Sequence, residues 1–225
     1  LTPTAPRTFL RALFPQGHSW LGWRPWLSFS VCLLLSGGLA LSFALLAPLS
    51  VPAFRLLKFS SDGKMLAFAF GKSVILTDIA TGKEVAHMTH DGRVYTVTIS
   101  PDSRYVVSGS SDDTARVWEL ATGKEVARMT HDELVETAAV SPDSRYVVSG
   151  SSDDTARVWE LTTGKEVARM THDKLVNTVA VSPDSRYVVS GSSDDTARVW
   201  ELATGKEVAR MTHDKLVETV AVSPD

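Results

Sequence analysis

Serine, histidine and aspartate recur together along this chain. They are the side chains from which a nucleophile, its general base and the orienting carboxylate are built. The stretch SGSSDDTARVWE occurs letter for letter at 108–119, 149–160 and 190–201, and a histidine stands at 90, 131, 172 and 213. A catalytic site is normally single, whereas a structural device repeats with the fold. Three equal copies, each starting 41 residues after the last, therefore read as architecture and not as a hydrolase. The paired acids Asp112-Asp113 lie in a short turn with too few oxygens for a six-to-eight-coordinate calcium ion. GKS at 71–73 resembles the end of a phosphate loop, but Leu66 stands where that loop requires glycine. No cysteine–histidine spacing suggests zinc. The sequence predicts no enzyme, no cofactor and no metal site.

Composition divides the chain sharply. Residues 1–59 hold five basic residues (Arg7, Arg11, Arg24, Arg55 and Lys58) and no acid, whereas residues 60–225 carry 18 Lys/Arg against 26 Asp/Glu, a net charge of −8. An acidic body argues against a nucleic-acid partner, which is held by clustered Lys and Arg. The single cysteine, Cys32, excludes an intrachain disulfide. The chain starts with Leu and stops at SPD, the opening of another repeat, so it reads as a piece of a longer product.

Between Arg24 and Arg55 no residue is charged. The run 26–47, WLSFSVCLLLSGGLALSFALLA, spans roughly 33 Å as a helix, enough to cross a hydrocarbon core. Trp20, Trp23 and Trp26 crowd one end as an interfacial belt would. The expected organisation is a basic segment 1–25, a single-pass transmembrane helix 26–47 and a linker 48–53. A cleaved signal ending near VPA before Phe54 and a buried apolar stretch are the other two readings. Basic residues flank the run on both sides, so charge does not decide on which side of the membrane the repeats lie.

Self-similarity governs the rest. Residues 100–140, 141–181 and 182–222 all begin SPDSRYVVSGSSDDTARVWEL, and a divergent copy fills 60–99. Apolar, β-branched segments of about six residues alternate with Asp/Ser/Pro/Gly turn signals. Each copy therefore predicts four short strands. The fold class is all-β: a β-propeller of four-stranded antiparallel blades, preceded by one apolar helix. Blades are expected at 54–89 (divergent), 94–130, 135–171 and 176–212, with a further strand at 217–222.

At these positions the chain resembles the WD-repeat propeller family, in the near-identical blades of some bacterial arrays. Trp118-Glu119, Trp159-Glu160 and Trp200-Glu201 stand where that family has Trp-Asp, and His90, His131, His172 and His213 where it has the His of Gly-His. The resemblance implies one hydrogen-bonded set per blade: His90/Ser110/Asp112/Trp118, His131/Ser151/Asp153/Trp159 and His172/Ser192/Asp194/Trp200. The divergent blade has Thr77, Gly71 and Ala69 at the Trp, Asp and Ser positions, so its set is missing.

With catalysis set aside, what remains is a surface. The copies differ mainly just after the histidine, at Glu133/Lys174/Lys215 and Glu136/Asn177/Glu218. These are the candidate partner contacts, with drift on a solvated rim as the competing account. The expected function is a membrane-anchored scaffold that binds other proteins. The alternative is a sensor propeller whose kinase or nucleotide-hydrolysing module lies elsewhere in a larger signalling protein. Four blades leave an incomplete ring with exposed edges. The missing blades are expected from sequence beyond Asp225 or from a second copy in a homodimer.

Overall fold

The computed structural model describes residues 56–223, all strand, turn and loop. The basic segment 1–25, the helix expected at 26–47 and the linker 48–53 lie outside the described residues. Among the described residues, no helix is long and apolar enough to cross a membrane.

Sixteen strands form four antiparallel sheets, each in simple sequence order. The first sheet comprises β1 (Leu57–Phe59), β2 (Met65–Phe70), β3 (Ser73–Asp78) and β4 (Glu84–Thr89). The second is β5 (Val94–Ile99), β6 (Tyr105–Ser110), β7 (Thr114–Glu119) and β8 (Glu125–Thr130). The third is β9 (Val135–Val140), β10 (Tyr146–Ser151), β11 (Thr155–Glu160) and β12 (Glu166–Thr171). The fourth is β13 (Val176–Val181), β14 (Tyr187–Ser192), β15 (Thr196–Glu201) and β16 (Glu207–Thr212). Residues 217–222, expected as a further strand, form none here. The segment lies against the fourth sheet, with the Val217 amide bonded to the Ser192 carbonyl.

The sheets are blades packed face on face, with the inner strands β1, β5, β9 and β13 side by side. Strand alternation gives every blade two faces. The trailing face of the second blade carries Val107, Ala115, Val117, Ala127 and Met129, and it packs on Val135, Val147, Trp159 and Leu161 of the third. The same pairing joins the first blade to the second and the third to the fourth. The core thus lies between blades, and no blade has one of its own.

The turns also join neighbours. Ser103, Ser144 and Ser185 adopt φ of 57–58°, a left-handed conformation that side chains with a Cβ seldom take. Their hydroxyls accept the Ser61, Asp102 and Asp143 amides of the preceding blade. The first blade has Gly63 at this place. Closer to the axis, Gly109, Gly150 and Gly191 let the next inner strand approach. A Cβ on Gly150 would stand 2.7 Å from Val176 Cγ1 and 2.8 Å from Thr137 Cγ2. Gly150→Ala should therefore destabilise the array by about 1–3 kcal/mol in urea unfolding through overpacking. Wild-type stability in this variant would contradict the close approach.

Candidate functional site

The recurring polar residues meet at one end of the second, third and fourth blades. His90 follows β4, Asp112 sits in the turn between β6 and β7, and Ser108, Thr114, Arg116 and Trp118 come from those two strands. Asp113, the second turn acid, takes φ of 64°, a conformation Asp tolerates. Ser108 is opposite Arg116 in the ladder and Val106 opposite Trp118. All four therefore share the leading face, turned to the preceding blade.

Two of the hydrogen-bond directions are fixed by chemistry. The Trp118 indole can only donate, and its Nε1–H reaches Ser108 Oγ at 2.8 Å. Ser108 then has one proton to give, and His90 Nε2 lies 2.7 Å away. The Asp112 carboxylate can only accept, so Nδ1 carries the proton toward Oδ2 at 2.9 Å, and burial disfavours a second proton on the ring, which leaves Nε2 to accept from Ser108. The imidazole is neutral, in a single tautomer. The same chain of bonds runs through His131, Ser149, Trp159 and Asp153, and through His172, Ser190, Trp200 and Asp194.

The serine expected in each set stands two residues away from the one found there. Ser110, Ser151 and Ser192 do not touch the histidine or tryptophan. Each accepts the amide of the turn aspartate, and Ser151 and Ser192 donate to the Glu133 and Lys174 carbonyls. The stretch S-G-S offers two serines on one face, and the register against Arg116 and Trp118 decides between them. In the first blade this register sets Phe68 opposite Ile75. Phe68, and not Ala69, therefore occupies the serine place, and Ile75 the arginine place.

Sequence reasoning missed the arginine. Arg116 is 4% exposed. Its Nη2 donates to Asp112 at 2.8 Å and to Asp91 at 2.9 Å, its Nε to Thr114 Oγ1 at 3.0 Å, and its Nη1 to the Thr89 carbonyl at 3.3 Å. The signal was a charge in the middle of ARVWEL, two residues before the tryptophan and so on the same covered face. Arg157 and Arg198 repeat the arrangement. Asp112 thus accepts from His90, Arg116 and the Asp91 amide at one oxygen, and from the Thr114 hydroxyl and amide at the other.

Burial pushes the Asp112 carboxyl up, but the bonds from Thr114, the Asp91 amide and His90 outweigh it and hold the acid far below the ordinary carboxylate range. Asp153 and Asp194 are held low in the same way. Burial pushes the imidazoles of His90 and His172 below their ordinary value, against the pull of the neighbouring carboxylates. Among the described residues every buried side-chain nitrogen and oxygen has a partner, and no three acid, histidine or cysteine side chains converge as a metal site would require. Ser108 is fully buried and His90 is 2% exposed, so no substrate carbonyl can reach this serine.

The candidate contact residues divide into two groups. Glu133, Lys174 and Lys215 are exposed in the loops after the histidines. Glu136 and Asn177 are the extra residues of β-bulges, as is Tyr95, and bulges re-aim a side chain. They line a groove of about 560 Å³ beside the inner strands, together with Lys58, Glu218 and several threonines. Burial raises the Glu136 carboxyl, partly offset by a bond from Ser152. Asn177 serves its own chain: its Nδ2 donates to Ser193 Oγ and to the Val217 carbonyl, both at 3.1 Å. It thereby pins the segment after the fourth blade.

Stacked four-stranded blades, of which the second, third and fourth are each tied at one end by a buried His–Ser–Trp chain on a carboxylate, define a propeller-type repeat protein. The WD domain, G-beta repeat family model matches residues 82–119, 123–160 and 164–201, just over half of the chain, and the chain belongs to that family. It is 39% identical over 67 residues to WD repeat-containing protein 1 of Xenopus tropicalis, covering 28% of this chain and 11% of that protein. It is 40% identical over 68 residues to jouberin of Rattus norvegicus, covering 28% and 6%. It is also 31% identical over 68 residues to eukaryotic translation initiation factor 3 subunit I of Phaeosphaeria nodorum, covering 30% and 20%. The chain therefore spans only a small part of these relatives. WD-repeat proteins generally act as non-catalytic scaffolds for protein interaction.

Two outcomes are expected. Ser149→Ala leaves the Trp159 N–H and His131 Nε2 without their partner, at about 1–3 kcal/mol for each orphaned group, whereas Ser151→Ala loses two bonds, from the Asp153 amide and to the Glu133 carbonyl, worth about 1 kcal/mol each. Urea unfolding of the two variants compares them directly, and a greater loss for Ser151→Ala would contradict the network. The second outcome concerns pH. His90 and His172 bind protons more weakly folded than unfolded, so their contribution is complete above the ordinary 6.5 and falls as the medium is acidified below it. The depressed aspartates contribute fully above their ordinary 3.8 and lose that contribution below it. Melting temperature should therefore fall in two stages from pH 7 to pH 3. A flat profile between pH 7 and pH 5 would show that the histidines are not desolvated.

Proposed function

We propose that this chain is a non-catalytic protein–protein interaction scaffold held at a membrane by residues 26–47. The observation that carries the reading is where the reactive side chains lie. Every Ser, His, Asp and Arg of the repeated sets is spent inside its own blade pair, while Glu133, Lys174 and Lys215 stand exposed at one end of otherwise near-identical blades. Exchanging Glu for Lys reverses charge at a rim where nothing in the blade needs either residue. Such exchange tunes which partner is attracted and how fast it arrives, at little cost to stability. Membrane attachment is supported by the uncharged run 26–47 and by the tryptophans at 20, 23 and 26.

Photo-cross-linking in cells tests both parts. A cross-linkable residue placed at Lys174 should give discrete protein adducts, whereas one at the exposed Thr162, at the opposite end of the blade, should give few. The adducts should pellet with membranes and resist alkaline extraction. Equal labelling at both ends would contradict the binding face. Release by alkali would contradict the anchor while leaving the face intact.

A further inference from the structure

The blades are near-copies, yet the side chains they bring to their inner edge differ. Tyr95, Glu136 and Asn177 are the extra residues at equivalent bulges of β5, β9 and β13. All three line the groove of about 560 Å³ that runs along these strands, a volume typical of ligand sites. Further blades, which pack on blade faces, would lengthen this wall and leave the groove open. The bulges thus gather an aromatic ring, a carboxylate and an amide in one place, among threonine hydroxyls at 96, 137 and 178. The amide spends both protons on Ser193 Oγ and the Val217 carbonyl, so its carbonyl oxygen is what it can offer a ligand.

Glu136 is the member that asks for a partner. The buried turn aspartates each hold an arginine and an imidazole. Glu136 is half-buried with no basic side chain paired to it. Its carboxyl takes one hydrogen bond, from Ser152, and burial pushes it up. A partly desolvated carboxylate without a counter-ion is costly to keep charged, and a cation entering the groove relieves that cost. Tyr95 suits the same guest: its ring already has the Arg93 guanidinium carbon 5.8 Å from the centroid. The field at this end has the matching sign. In the third blade Asp132, Glu133, Glu136, Asp153 and Asp154 are set against Arg157 alone, a net of −4, whereas in the fourth Asp173, Asp194 and Asp195 are set against Lys174 and Arg198, a net of −1. Lys58 and Glu218, the other charges of the groove, offset each other.

We propose that this groove receives a cationic side chain from a basic segment of a partner protein, with the charged head on Glu136 and the Asn177 carbonyl oxygen, and the stem along Tyr95. The proposal rests on the scaffold reading above and names the class of partner: a peptide segment rich in Arg or Lys and poor in acids. Glu133, exposed in the loop just before Glu136, meets the flanking cations and draws the segment in. An arginine makes fullest use of the set, since its planar fork takes both oxygens of one carboxylate and stacks on a ring.

The test is fluorescence anisotropy of a short labelled Gly/Ser peptide that carries arginines and no acid, titrated with the full chain in neutral detergent micelles. The peptide should bind, and its citrulline counterpart, alike in shape but uncharged, should bind about tenfold more weakly or worse. Glu136→Gln can keep the Ser152 bond and should weaken the arginine peptide about tenfold. Tyr95→Leu should weaken it about two- to fivefold. Glu160→Gln, which alters an exposed acid at the opposite end of the blade, should leave it unchanged. Because the Glu136 charge is unfavourable in the empty groove, Glu136→Gln should melt no lower than wild type, which separates lost binding from lost folding. Equal binding of the two peptides, full affinity in Glu136→Gln, or a lowered melting temperature in that variant would overturn the proposal. A peptide that fails to bind while cross-linking at Lys174 still gives adducts would overturn it and leave the scaffold reading standing; absence of the adducts as well would remove both.

Discussion

Everything in a blade junction depends on one desolvated carboxylate. Asp112 and its copies Asp153 and Asp194 sit in tight turns, with side chains 3–8% exposed, and an ion removed from water must recover its hydration from the protein. It does so from five donors drawn from both sides of the loop: imidazole, guanidinium, hydroxyl and two amides. Once the acid is fixed, the histidine tautomer is set, then the serine proton, then the tryptophan indole. The histidine comes from the segment entering the blade and the tryptophan from its third strand. The chain of bonds therefore fastens successive pieces of backbone and presents a flat tryptophan to the neighbouring blade. Removing any one member orphans the next, which is a physical reason for the stretch to be copied whole.

The first blade shows the other stable solution. It replaces the whole polar set, with Phe68 and Ile75 at the serine and arginine places and Gly71 and Thr77 at the aspartate and tryptophan places, and removing every member together avoids the penalty that removing one would incur. An apolar face without directional bonds accepts a partner without having to satisfy a polar network across the junction. A face of the interior type would need its arginine and carboxylate covered at once. The divergence of this blade is thus chemically coherent, and it falls on the face that no blade among the described residues covers.

The strand plan was legible because turn chemistry punctuates it. SPDSR, SSDDT and ATGKE each sit at a hairpin, and the apolar segments between them are six residues long, the length of the strands themselves. The candidate site was legible in kind but not in register. Two serines two residues apart lie on the same face of a strand, and only the ladder pairing with Arg116 and Trp118 separates them. Arg116 was passed over because a charge in a strand is ordinarily a solvated one, and its burial becomes evident only once the preceding blade covers that face. Asn177 looked like a surface variation and proved to be a tether, since its acceptor is the carbonyl of Val217, 40 residues downstream. Residues 26–47 carry their message in length and apolarity alone.

In every complete blade an imidazole links tryptophan, through a serine hydroxyl, to carboxylate, and the junctions stand or fall with that link. Nitrogen-15 NMR of the histidine rings reads it without an intermediary, because protonated and bare ring nitrogens resonate far apart. At neutral pH a protonated Nδ1 and a bare Nε2 are expected at His90, His131 and His172, with the Trp118, Trp159 and Trp200 indole protons slow to exchange. A protonated Nε2 at these three histidines, or rapid exchange of the indoles, would show that the link is not made.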